Sequence, residues 1–167
     1  PIGRTLGFTL PLGGMPLGEH ADAVRELVDV GYTHAWAGEA DGLDAVVPLA
    51  AAAAWAPELH VGTAIVPAFT RGPAVLAMTA AALAELAPGR AALGIGPSSP
   101  VIVRNWNGLD YVMARQRVVD VLDFVRRTTA GERVTNTYES FDVSGFRLAR
   151  VPALQPQLLI AALRPGM

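Results

Sequence analysis

The residues best placed to do chemistry are small and polar and stand together: Gly94, Gly96, Ser98 and Ser99 fall within G-I-G-P-S-S-P, at the end of the apolar run Arg90–Ile95. Such a run, opened by the stop Pro88-Gly89, is what a fully buried parallel strand requires. Gly96, Pro97, Ser98, Ser99 and Pro100 continue neither strand nor helix, so they turn at the strand's carboxyl end, where α/β folds place their ligands. Backbone amides and two hydroxyls at this turn can hydrogen-bond a ligand's polar edge. Ser99 followed by Pro100 reads equally well as N-cap and first turn of a short helix ending near Asn107-Gly108. Both roles stay open. Gly94 and Gly96 begin a G-x-G-x-x-G, but Ser99 stands at the third glycine position and two prolines interrupt the turn, so a dinucleotide fingerprint is disfavoured.

Other reactive groups are sparse. A second loop, Gly38-Glu39-Ala40-Asp41-Gly42, carries charge at the end of a short strand. His20, His34 and His60 lack metal-ligand spacing, no metal site is expected, and no Ser-His-Asp grouping can be assembled. With 0 cysteines, disulfides, thiolate metal sites and cysteine nucleophiles are excluded. A net charge of -2, with 13 Lys+Arg that form no run, gives no footprint for nucleic acid or an anionic membrane. Neither a cationic leader nor an apolar span long enough for a bilayer is visible, so the expected location is cytoplasmic.

The elements that must position these loops alternate regularly. Strand-like runs at Arg4–Leu10, Thr33–Ala37, Leu59–Val66 and Arg90–Ile95 precede helical patterns at Glu19–Val30, Leu43–Ala56, Val75–Leu86 and Ala114–Arg127. Gly131–Leu148 then alternates apolar with polar residues and predicts an inserted β-hairpin. Gln157–Leu163 is a fifth buried strand, followed by the loop 164–167. The 167 residues are one domain's length. The alternation predicts an α/β fold with a parallel sheet. A doubly wound sheet could close within this length, whereas a (β/α)8 barrel takes about 250 residues and would be half built.

Three segments, G-T-A-I-V-P-A-F-T-R-G-P (62–73), E-L-A-P-G-R-A-A-L-G-I-G-P-S-S-P (85–100) and V-R-N-W-N-G (103–108), together resemble the bacterial-luciferase-like oxidoreductases, within them the deazaflavin-dependent branch. The resemblance runs over essentially the whole chain. It implies a TIM-type (β/α)8 barrel, here the first four βα units plus strand five, with a hairpin insertion at 131–150 before strand five in a single domain 1–167. It also implies a coenzyme of the 8-hydroxy-5-deazaflavin, F420 type, with FMN as the alternative, held at the carboxyl ends of the strands. The implied activity is that of an oxidoreductase or monooxygenase: hydride transfer to or from a small organic substrate, or in the flavin branch activation of oxygen.

Carried over residue by residue, the resemblance places the family's non-prolyl cis peptide at Ala64-Ile65, backing the coenzyme ring, with Thr63 beside it. Gly96, Ser98 and Ser99 would meet the ring edge or side chain. Phe8 and Trp106 could line the pocket, or be core. Glu39 lies where relatives place polar groups near the reactive face, and a surface carboxylate is its alternative. Relatives that oxidise sugar phosphates carry a histidine after strand two and a glutamate after strand four; Ala40 and Ser99 stand there, so that acid–base mechanism does not transfer. Strands seven and eight, whose loops commonly grip a phosphate tail, have no counterpart. The chain is accordingly expected to be a fragment, one part of a split protein, or a half-barrel pairing as a homo-oligomer or with a missing C-terminal half. The alternative to catalysis is a non-catalytic half-barrel serving as assembly partner or structural subunit.

Overall fold

A computed structural model describes residues 5–162. Its strands are β1 (Gly7–Leu10), β2 (His34–Ala37), β3 (His60–Thr63), β4 (Val66–Pro67), β5 (Ala91–Gly96), β6 (Val134–Thr137), β7 (Asp142–Phe146) and β8 (Gln157–Ile160). Its helices are α1 (His20–Asp29), α2 (Val46–Trp55), α3 (Pro73–Leu86) and α4 (Ala114–Thr129), with a short π-helix at Val101–Trp106. Arg4, Leu163 and the loop 164–167, included in the expected first and fifth strands and the closing loop, lie outside the described residues.

The sheet decides between the two architectures. Every pairing in it is parallel, and its order is β1, β2, β3/β4, β5, β8, each strand beside the next one along the chain. A doubly wound sheet must reverse its strand order at a switch point. No reversal occurs, so the strands progress in one direction as in a barrel. The hairpin stands apart as an antiparallel pair, β6 with β7.

Alternation along each strand sorts the residues onto two faces. Ala35, Ala37, Val61, Leu93 and Ile95 join Val24, Leu49, Leu76, Leu83 and Val121 of the helices in one buried core. Alanine dominates the contact: Ala52, Ala77, Ala80 and Ala84 are buried, and their small side chains let α2 and α3 lie close to the strands. Successive helices pack against one another, α1 on α2, α2 on α3 and α3 on α4. The opposite face carries Thr9, Trp36, Gly62, Ala92 and Gln157 in one register row.

Two boundaries shift for local reasons. The helix expected from Leu43 starts at Val46, because Asp44 Oδ1 accepts the N–H groups of Val46 and Val47, each at 2.9 Å, and caps it there. The hairpin is anchored on α4: Asp120 Oδ2 accepts from the Ser140 amide at 2.9 Å and hydroxyl at 2.7 Å, and Phe124 meets Phe141 and Phe146.

The strand expected over Leu59–Val66 is broken. From Gly62 to Val66 the chain advances four residues while β5 advances three, Ala92 to Ile95, so one extra residue bulges out between β3 and β4. Gly94 faces this bulge, and a Cβ there would collide with the Thr63 carbonyl oxygen. Gly94→Ala should therefore cost about 2 kcal/mol or more in urea unfolding. Gly72→Ala, with no atom within 4 Å of the added carbon, should stay within about 0.5 kcal/mol of the parent.

Candidate functional site

The bulge organises the carboxyl end of the sheet. The Ala64–Ile65 peptide is cis, where the resemblance places one. Towards β2 its backbone stays bonded: the Ala64 N–H donates to Ala37 O at 2.7 Å, and Ile65 O accepts from the Glu39 N–H at 3.0 Å. Towards β5 the ladder is interrupted, and the Thr63 hydroxyl replaces it. Its Oγ1 accepts from the Gly94 N–H and donates to Gly94 O, both at 2.8 Å, so a fully buried hydroxyl has both its partners.

Two clefts meet this end. The first, about 440 Å³, lies on the inner sheet face and is lined by Thr9, Trp36, Thr63, Ala64, Ile65 and Gly94, with Leu159 and Ile160 of β8 at its side. It is largely apolar, and its size suits a small molecule. Trp36 forms part of its floor because Gly7 and Gly62 leave room: a Cβ at Gly62 would fall on the indole. Likewise a Cβ at Gly96 would lie 2.9 Å from Ile65 Cδ1, so the glycines of β5 seat the bulge.

The second cleft, about 380 Å³, is polar and includes Glu39, Asp44, Thr70, Arg71 and Asn107. Arg71 Nε donates to both Glu39 carboxylate oxygens at 3.0 and 3.1 Å, its Nη2 reaches Oε1 at 2.5 Å, and it also pairs with Asp44. The Glu39 side chain is 17% exposed, so it is an ion-paired group rather than the free surface carboxylate considered as its alternative. Its hydrogen bonds with Glu39 raise Arg71 above the ordinary guanidinium value. Partial burial works to raise the Asp44 carboxyl, but the Val47 N–H, the Arg71 charge and the Val46 N–H outweigh it and hold the group below the usual carboxylate range.

The loop after β5 separates the two serines. Ser99 Oγ accepts the Ile102 N–H at 3.3 Å and caps the π-helix. Ser98 adopts φ 63°, and its hydroxyl is buried with no hydrogen-bond partner among the described residues. Neither serine, nor Gly96, lines either of the two clefts. Trp106 is 54% exposed and lines neither cleft. Phe8 is placed with the core rather than the pocket: it shares a register row with Ala35, packs on the helix side and meets Tyr32 edge-on at 5.9 Å. Alternation assigns the pocket position to its neighbour Thr9.

Trp36, Thr9 and Arg71 escaped sequence reasoning. Trp36 carried a signal, since it stands two residues before Gly38 on the face opposite Ala35 and Ala37. Arg71 carried none, because its partners are 32 and 27 residues away.

A sequentially ordered parallel sheet with its clefts at the carboxyl ends of the strands defines the N-terminal part of a TIM-type barrel. Residues 5–167 match the model of the luciferase-like monooxygenase family, and the chain belongs to that family. It is 33% identical over 131 residues to a putative coenzyme F420-dependent oxidoreductase of Mycobacterium tuberculosis, covering 78% of this chain and 37% of that protein. Its fold matches the F420-dependent tetrahydromethanopterin reductase of Methanopyrus kandleri at TM-score 0.76 and 18% identity, over 96% of this chain and 51% of the other. The oxygenating component of 3,6-diketocamphane monooxygenase from Pseudomonas putida, in complex with FMN, matches at TM-score 0.76 and 16% identity, over 93% and 50% of the two chains. The chain thus spans between about a third and a half of the proteins it matches.

Arg71→Met should leave two carboxylates facing each other without their cation and destabilise the chain by about 1–3 kcal/mol. The acid limb of the stability curve tests the same clamp. Asp44 has a depressed folded value, so its contribution is present above the ordinary carboxylate value and is lost as pH falls through the depressed one. Asp44→Asn should flatten that part of a plot of thermal midpoint against pH.

Proposed function

We propose that this chain supplies the ring-side wall of a coenzyme site in an oxidoreductase, with an F420-type deazaflavin as coenzyme and FMN as the alternative. The observation that carries this reading is the bulge at Thr63–Ile65, set over an apolar cleft of about 440 Å³ and held between the glycines of β5 and the loop after β2. Thr63, Ala64 and Ile65 back the ring, and Trp36 and Gly94 form its floor; Ser98, whose buried hydroxyl has no partner among the described residues, stands in the adjoining loop. The F420 dependence of the Mycobacterium and Methanopyrus proteins supports the coenzyme class, and the FMN of the Pseudomonas enzyme supports its alternative. Such a coenzyme, when bound, carries a hydride to or from a small organic substrate. Glu39 acts through Arg71 as a positioning residue for the loops after β2 and β4, because its carboxylate is already engaged.

A second reading, a non-catalytic half-barrel acting as an assembly partner or structural subunit, is favoured by the exposed inner face. On that face Leu159 is 38% exposed, Ile160 beside Ile95 on the helix side is 50% exposed, and among the described residues β1 and β8 each pair on one side only. Under either reading the chain pairs with another copy of itself or with a C-terminal half, because open strand edges and exposed apolar surface favour association.

Titration with each coenzyme separates the readings. F420 or FMN should quench the Trp36 fluorescence saturably, and Trp36→Phe should lose that component. Ala64→Leu should weaken binding at least about tenfold with helical content unchanged, since its side chain enters the cleft. Equal binding by Ala64→Leu and the parent would remove the placement, and no binding of either coenzyme would favour the second reading. Light scattering across a dilution series should show a species larger than the monomer; a monodisperse monomer would rule the pairing out.

A further inference from the structure

The other end of the inner face holds a recess that the coenzyme reading leaves unused. At the amino ends of the strands, Gly7, His34 and His60 share one register row. The two imidazoles stack with centroids 4.5 Å apart and planes 11° from parallel, and Trp36 stacks on His34 at 6.0 Å. Trp36 borders both this recess and the coenzyme cleft. Arg90, just before β5, turns its guanidinium here: Nη1 donates to Leu59 O at 2.6 Å, and no carboxylate pairs with it among the described residues. Gln157 opens β8 at the same place.

These groups enclose about 160 Å³, and among the described residues no acidic one lines the space. One permanent cation, two imidazoles and an amide therefore face one another with no negative charge to complement them. The groups facing the imidazoles are Trp36 and the Thr33 hydroxyl from the β2 segment, Arg90 from the start of β5 and Gln157 from β8; β1 contributes Gly7, with no side chain. Burial, and then the charge of His60, hold the His34 imidazole below its ordinary value. A guanidinium without a carboxylate is a strong donor to oxyanions, and a nearby imidazole gains its proton when an anion arrives.

We propose that this recess binds a small oxyanion, with Arg90, His34 and His60 as cationic donors and the Gln157 amide as a fourth contact. Binding draws a proton onto the His34 imidazole, which is held below its ordinary value in the free chain, so binding strengthens as pH falls. Phosphate and carboxylate share the required chemistry; inorganic phosphate and acetate, titrated separately, distinguish them.

Proton NMR of the imidazole ring hydrogens in the full chain reads the outcome directly. Phosphate should move the His34 and His60 signals saturably and make His34 titrate at a higher pH than in the free chain. The affinity for acetate, which keeps one charge throughout, should be about tenfold greater near pH 6 than near pH 8. His20 provides the internal reference: it is fully buried, Nε2 accepts the Leu12 N–H and Nδ1 lies 2.9 Å from Pro16 O, so its signal should stay fixed. Arg90→Gln and, as a second variant that keeps the Leu59 contact, His60→Gln should each weaken binding at least about tenfold. Unmoved His34 and His60 signals with both anions, or parental affinity in both variants, would overturn the assignment.

Discussion

Close approach of three backbone segments at Thr63–Ile65 is the constraint on which the carboxyl end of this fold depends. Gly94 leaves no room for a side chain against the Thr63 carbonyl, and a Cβ at Gly38 would lie 2.8 Å from Ala64 O. Neighbouring strands can reach the bulge only because both positions lack side chains. The Thr63 hydroxyl then closes the gap in the ladder by bonding both the amide and the carbonyl of Gly94. One interruption thereby sets where Glu39 emerges, since its amide is tied to Ile65 O, and fixes how far the inner cleft extends.

The inner face divides at Trp36. Above it lie the bulge, the apolar cleft and the serine loop; below it lie the two imidazoles and Arg90. The indole can lie across the strands because Gly62 and Gly7 vacate that space, so the same pattern of small residues that opens the apolar cleft above also isolates a polar recess below. The Arg71 clamp works at longer range, joining the loop after β2 to the loop after β4 through Glu39 and Asp44.

Much of the fold was legible because its signals are local. Proline–glycine stops, helical spacing and short apolar runs located every strand and helix to within a few residues, and the alternation at Val134–Phe146 revealed the hairpin. The break after Thr63 was legible only through the motif, because the run Val61–Val66 reads as uninterrupted strand by periodicity. Aromatic character leaves Phe8 open between pocket and core, and strand parity against Ala35 decides for the core side. Ser98 and Ser99 look alike in sequence, yet one caps a helix and the other is left unsatisfied, a distinction made by a positive φ angle at Ser98 that composition does not specify. The Arg71 clamp and the stacked histidines are long-range contacts, which no spacing along the chain encodes.

Hydrogen–deuterium exchange with and without saturating coenzyme tests the central claim most directly, that the bulge side of the sheet is the coenzyme wall. Amides of 62–66 and 94–99 should slow markedly while those of the β6–β7 hairpin exchange as before. Protection confined to the hairpin and α4, or none at 62–66 despite measurable binding, would contradict it.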